Sequence, residues 1–130
     1  MSDSKQTVVV VDDNATVRAL FGRSMEELAL DLISFGSAEA AMEYLTDNKP
    51  SLLFLDIIMP DKDGLTFLSE LRKLPLHRDT AVIMITSKDY AQDRTVANEL
   101  GALDFIIKPM PMRAITDIIT NYINKENPYN

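Results

Sequence analysis

Three short runs in this chain are apolar at every position: VVVV at residues 8–11, LLFL at 52–55 and AVIMI at 81–85. A strand with one wet face alternates apolar and polar residues, whereas a uniformly apolar run needs cover on both faces. The segments between the runs have helical spacing. Asn14 can cap a helix that places Val17, Leu20, Phe21, Ser24 and Leu28 on one face. Ser37 can cap a second, with Ala38, Ala41, Met42 and Leu45 inward. A third starts near Asp63-Gly64, aligns Leu65, Leu68 and Leu71, and stops before Pro75. A fourth, over residues 89–100, has the weakest apolar stripe and ends at Gly101. The last aligns Ile115, Ile118, Ile119, Tyr122 and Ile123, with Pro111 in its first turn. A more alternating strand at 30–35 and a short one at 104–107 complete the set. Five strands alternating with five helices predict an open, doubly wound α/β domain with a parallel sheet. The pattern leaves the strand order open.

The 130 residues suit one domain, with a core over about 7–124 and a frayed tail at 125–130. A chain of this size buries roughly 68% of its unfolded surface. It has no cysteine, which removes disulfides and thiolate metal sites. Thirteen basic against twenty acidic residues give a net charge of −7, which argues against direct nucleic-acid or anionic-membrane binding. No run approaches the roughly 18 apolar residues of a membrane span, and none forms a signal-peptide core, so the expected location is cytoplasmic.

In doubly wound sheets, ligands bind beyond the carboxyl ends of the strands. Here the first strand ends in Asp12-Asp13, the third in Asp56, the fourth in Thr86-Ser87 and the fifth in Lys108-Pro109; only the second, at Phe35-Gly36, offers nothing chemical. Asp56 sits in SLLFLDIIMPDKDG, at the end of an apolar strand where a carboxylate is expensive to bury. Three carboxylates at close quarters repel, and a divalent cation relieves them. All-oxygen ligation suits Mg²⁺, with Mn²⁺ as a substitute. Lys108 adds a point charge for a phosphoryl oxygen and Thr86 a hydroxyl donor. One nucleophilic carboxylate, a metal, a cation and a hydroxyl suit phosphoryl transfer to an aspartate.

Taken together, Asp12-Asp13, Asp56 with Met59-Pro60 and Asp63-Gly64, Thr86-Ser87 and Lys108-Pro109 resemble the response-regulator receiver domains of two-component signalling, over residues 7–124. The resemblance implies a flavodoxin- and CheY-like sheet in the order 2-1-3-4-5. It makes Asp56 the phospho-acceptor and gives Mg²⁺ to Asp12, Asp13, Asp56 and the backbone carbonyl of Ile58. Lys108 would contact the acylphosphate, Thr86 would move toward it and Phe105 would swing inward. The Lys108-Pro109 bond would be cis. Ile58 and Lys88 hold the positions that tune phosphoryl lifetime, and hydrophobic Ile58 is expected to hinder the attacking water. The donor would be a histidine kinase or phosphotransfer protein. The reader would be a protein partner or a C-terminal effector domain outside these 130 residues. The chain would catalyse only its own phosphorylation and dephosphorylation, without turning over a metabolite.

Other readings fare worse on the residues. A phosphohydrolase with an aspartyl nucleophile wants an acid two residues later, where Ile58 stands. A flavin module needs a hydroxyl- and glycine-rich loop after the first strand, where Asp12-Asp13 would repel phosphate. A degenerate receiver would lack the site residues, all of which are present. Asp61, Lys62, Asp63, Gly64 and Glu70 look like part of a calcium loop, but Met59-Pro60 occupies its start. The only histidine, His77, is expected in a polar surface loop. Tyr90, Arg94, Phe105, Met110, Met112 and Arg113 can line an exposed face around the fourth helix, fifth strand and fifth helix, although methionines more often fill a core.

Overall fold

The uniformly apolar runs become the interior of a parallel sheet. A computed structural model describes residues 6–126. Its strands are β1 (Thr7–Val11), β2 (Asp31–Phe35), β3 (Leu52–Asp56), β4 (Val82–Thr86) and β5 (Asp104–Ile107). The helices are α1 (Ala15–Ser24), α2 (Ala38–Leu45), α3 (Gly64–Arg72), α4 (Ala91–Glu99) and α5 (Met112–Glu126), with a 3-10 turn at Pro75–His77. The strand order is β2-β1-β3-β4-β5, and every pairing is parallel. Val11 lies beside Leu55, so the residues that follow each of them emerge together.

Alternation along each strand divides the core into two. Val9, Val11, Leu53 and Leu55 face Ala41, Leu45, Phe67, Leu68, Leu71 and Ala97 of α2, α3 and α4. Val8, Val10, Leu52 and Phe54 face Phe21, Ile115 and Ile119 of α1 and α5. The Phe21 and Phe54 rings meet edge-on at 4.8 Å. Each such side chain contributes roughly 1.5–3 kcal/mol by leaving water, so both helical layers are firmly held to β1 and β3. Local signals fix the helix ends. Asn14 Oδ1 accepts from the Thr16 and Val17 amides, Ser37 Oγ from Ala40, and Asp63 Oδ1 from Leu65 and Thr66. Gly101, at φ 84°, follows α4 in a conformation that disfavours side chains.

Several expectations shift. β4 begins one residue later than expected and includes Thr86. β2 starts at Asp31 and is only partly buried, as an edge strand. α1 stops at Ser24, so Leu28 lies beyond the helix, though it packs in the same cluster. α4 is shorter than residues 89–100, buries only Ala97 and has no side-chain cap at Tyr90. α5 continues to Glu126, past the expected core end; residues 127–130 of the expected tail lie outside the described residues.

His77 corrects the expectation of a surface loop, because it is fully buried. Its Nε2 lies 2.6 Å from the Leu45 carbonyl, which can only accept, so that nitrogen carries a hydrogen. Its Nδ1 lies 2.7 Å from Thr80 Oγ1. Both polar ring atoms are satisfied, which removes the main cost of burial. Met110 is core filler rather than part of the exposed face: it is buried with Phe21, Ile106 and Ile115, where a flexible thioether fills an irregular gap.

Candidate functional site

The sheet order brings the ends of β1 and β3 side by side, and the acids with them. Asp12 is fully buried and Asp56 is 2% exposed, while Asp13 faces solvent. One carboxylate oxygen from each of the three lies within 4.8 Å of the others. Backbone and side-chain bonds fix the β1 end. The Asp12 amide donates to the Phe35 carbonyl at 3.0 Å, Asp12 Oδ1 accepts from the Asn14 amide at 2.9 Å, and Arg18 Nη1 donates to the Asp12 carbonyl at 2.8 Å.

Lys108 reaches this cluster from the end of β5. Its amide donates to the Thr86 carbonyl at 2.8 Å, and the Lys108–Pro109 bond is cis. Its Nζ lies 2.9 Å from Asp12 Oδ2 and 3.5 Å from Asp56 Oδ2. The nearer contact is an ion pair without hydrogen-bond alignment. Asp12 Oδ2 is the buried side-chain polar atom left without a hydrogen bond among the described residues. One lysine serving two buried carboxylates, with a third close by, leaves negative charge in excess. Asp56 records the imbalance: burial, then the Asp12 charge, push its carboxyl up to about 6, while Lys108 and the Ile58 amide oppose the shift.

This donor set fits a hard divalent cation. It has three carboxylates converging on one point, an orphaned buried oxygen and an open side at Asp13. Asp12, Asp13 and Asp56 would hold the ion.

Thr86 is buried, and its Oγ1 is occupied locally, donating to the Lys88 carbonyl at 2.7 Å and accepting from the Lys88 amide at 3.0 Å. Phe105 is half-buried, with the Arg94 guanidinium 4.5 Å above its ring. Arg94 is itself paired with Asp89. Ile58, 52% exposed, projects from the loop that follows Asp56. An apolar-walled hollow of about 380 Å³ beside Lys108 is lined by Asn14, Thr16, Val17, Leu20, Ser87 and Met110, among others. On the expected exposed face, Tyr90 and Met112 are exposed, joined by Leu103 and Ile107.

The sequence reading missed two supports of the site. Arg18 ties α1 to the Asp12 carbonyl, and nothing in its spacing indicates that partner. Gly64, taken only as a helix start, packs its Cα against β3: a Cβ there would lie 2.1 Å from the Asp56 carbonyl oxygen. A glycine just past a site loop is a usable signal for such close approach.

The fold is that of the open, flavodoxin-like α/β domains, with an acidic pocket at the switch point of the sheet. The chain belongs to the response regulator receiver domains, whose family profile matches residues 8–120. That family comprises phosphorylation-dependent switches of two-component systems.

Among curated relatives, the cyclic di-GMP phosphodiesterase response regulator RpfG of Xanthomonas campestris is 34% identical over 94% of this chain. The transcriptional regulatory protein AruR of Pseudomonas aeruginosa is 36% identical over 91%. The chain spans only 33% and 49% of those proteins. Among solved structures, a CheY-like receiver domain protein of Methanospirillum hungatei superposes with a TM-score of 0.87 at 20% identity, covering 98% of this chain and all of its own. The chemotaxis response regulator CheY4 of Vibrio cholerae gives 0.84 at 16% identity, covering 92% of this chain and 99% of its own. At such identities these two speak for the fold. No helix among the described residues is long and apolar enough to cross a membrane.

Proposed function

We propose that Asp56 accepts a phosphoryl group from a phosphohistidine on a sensor kinase or phosphotransfer protein. The observation that carries this reading is the shared lysine: Lys108 Nζ sits 2.9 Å from Asp12 and 3.5 Å from Asp56, where three carboxylates converge. An ionised Asp56 oxygen attacks phosphorus; the P–O bond forms as the P–N bond breaks, and its electron pair leaves with the imidazole. Mg²⁺, or Mn²⁺ in its place, supplies charge neutralisation when bound at Asp12, Asp13, Asp56 and the Ile58 carbonyl. Lys108 then pairs with a phosphoryl oxygen instead of bridging two carboxylates.

Switching follows from the same site. For Thr86 to reach the phosphoryl group, its hydroxyl must release the Lys88 carbonyl, and Phe105 then turns inward from beneath Arg94. The exposed Tyr90, Leu103, Ile107 and Met112 surround this change, and a protein partner or a linked effector domain reads it. The chain acts only on itself, in the cytoplasm.

Incubation with acetyl phosphate and Mg²⁺, followed by intact-mass measurement, tests the reading. One phosphoryl adduct is expected, and none for Asp56→Asn. An unmodified wild type, or an adduct that survives the substitution, overturns it. Lifetime gives a finer prediction. Ile58 shields the acylphosphate from water, so it decays over longer than seconds, and Ile58→Asn shortens its half-life roughly tenfold, about 1.4 kcal/mol of barrier. A phosphatase-free decay time course checks this; equal half-lives would mean that Ile58 does not obstruct water. Lys88 flanks the site on the other side and tunes the same lifetime.

A further inference from the structure

The loop between Asp56 and α3 carries Ile58, yet little holds it in place. Ile57 is secured, its amide donating to Ile85 and its carbonyl accepting from Gly64 at 2.7 Å. Beyond it, no backbone–backbone hydrogen bond outside regular elements involves residues 58–62 among the described residues. Met59 is buried, but Ile58, Pro60 and Asp61 are exposed. A Lys62–Glu70 ion pair of 2.5 Å links the loop only to its own following helix.

The remaining tether crosses to another element. Asp61 Oδ1 accepts from the Ala38 amide at 3.3 Å and Oδ2 from the Glu39 amide at 3.1 Å. These are the first two amides of α2, which have no partner within the helix. Ser37 Oγ takes the third, at 3.1 Å, and the Ser37 carbonyl takes Ala41. Ser37 thus caps one part of the helix end and leaves a two-amide vacancy that Asp61 fills from 22 residues away. Burial pushes the Asp61 carboxyl up, but the Glu39 and Ala38 amides, with its own amide and the Lys62 charge, outweigh it and leave the carboxyl below the usual range.

We infer that Asp61 is a positioning residue for the metal and phosphoryl site: by clamping the loop to the α2 N-terminus, it sets where the Ile58 carbonyl and side chain stand beside Asp56. The inference rests on the receiver reading above, in which the Ile58 carbonyl is a metal ligand. A helix cap alone would need no particular loop geometry. The difference here is that the capping residue lies three positions after Ile58 and ties the loop to α2, whereas the loop's other polar links, the Ile58 amide to Asp56 and Lys62 to Glu70, reach only the elements that flank it. Without the clamp the Ile58 carbonyl samples more positions, and binding must restore the productive one. Outer contacts that orient a ligand typically change metal affinity by about 10–100-fold when removed. An exposed clamp acting on one backbone ligand belongs at the lower end.

Mg²⁺ titration of the unphosphorylated chain by calorimetry, paired with amide hydrogen exchange, tests this. Asp61→Ala is expected to lose protection at the Ala38 and Glu39 amides and to weaken Mg²⁺ binding about tenfold. Asp61→Asn, which keeps one accepting oxygen but presents an NH₂ that cannot accept, is expected to retain protection at one of the two amides and to bind Mg²⁺ with an affinity between those of wild type and Asp61→Ala. Thermal melts of the variants establish that each remains folded, as the exposed position implies. If Asp61→Ala loses protection while its Mg²⁺ affinity stays within about twofold of wild type, Asp61 is only a helix cap and the inference is overturned. If protection is unchanged, the clamp does not operate and the inference fails as well. If the wild-type chain takes up no Mg²⁺, the receiver reading itself falls, and the inference with it.

Discussion

Replacing Asp56 with asparagine makes the metal-free protein more stable at pH 7, by up to about 3 kcal/mol, or roughly 10 °C in melting temperature. Its carboxyl is raised from 3.8 to about 6 in the fold, first by burial and then by the Asp12 charge. Between those values the native state holds a proton that the unfolded chain has already released, so wild-type stability falls as pH rises through that window. Above about 6 the cost is present in full. Asparagine has the same shape and no charge to bury, so it escapes the cost. The difference between the two proteins should therefore be near zero below pH 4, open between 4 and 6, and stay constant toward neutrality. Denaturant unfolding across pH 3.5–7.5 in a chelator measures it. Mg²⁺ should narrow the gap at pH 7 by binding the wild-type carboxylates preferentially. A destabilised asparagine variant, or a gap independent of pH, would mean that Lys108 already balances the cluster. Asp56, the proposed phospho-acceptor, is thus a group that the resting fold tolerates at a cost, as is common where function and stability compete.

The same competition explains what the sequence made legible. β1, β3 and β4 could be read directly, because a strand covered on both faces has no polar position to spare: Val8 to Val11 and Leu52 to Leu55 are all fully buried. Against such runs the polar residues at their carboxyl ends stand out, which is why Asp12, Asp56 and Thr86 could be picked as a group. β2 is an edge strand with weaker patterning and only partial burial, so its residues stand out less. What stayed hidden depends on partners distant in sequence. His77 reads as a loop residue until the Leu45 carbonyl, 32 positions away, is seen to accept from its ring. Arg72 likewise gathers the carbonyls of Leu100, His77 and Thr80, which no helical spacing encodes. Periodicity shows which face of an element is covered but does not identify the atom that it meets. The strand order was of this kind too, and came from family resemblance rather than from pattern.

Two glycines separate these effects by experiment. Gly22 lies within α1, and a Cβ there would meet only Leu32 Cδ2 at 4.0 Å. Gly22→Ala should follow helix propensity and stabilise the protein by about 0.5–1 kcal/mol. Gly64 is the first residue of α3, so propensity would favour alanine there as well. Its surroundings reverse the sign. A Cβ would lie 2.1 Å from the Asp56 carbonyl oxygen and 2.8 Å from Ile57 Cα, and both are backbone atoms that no rotamer change can move. Relief requires β3 and α3 to part at Asp56. Overpacking of a well-filled interior typically costs about 1–3 kcal/mol, and an overlap this deep with backbone belongs at or above the top of that range. The Gly64 amide also donates to the Ile57 carbonyl at 2.7 Å, so separation stretches the bond that closes the Asp56 loop. Gly64→Ala should therefore lose about 3 kcal/mol in urea unfolding, and what remains folded should accept phosphate from acetyl phosphate more slowly than wild type. Gly22→Ala should keep the wild-type rate. Were the two variants to show equal stability, Asp56 would not depend on the close approach of α3, and its position would have to be set by β3 alone.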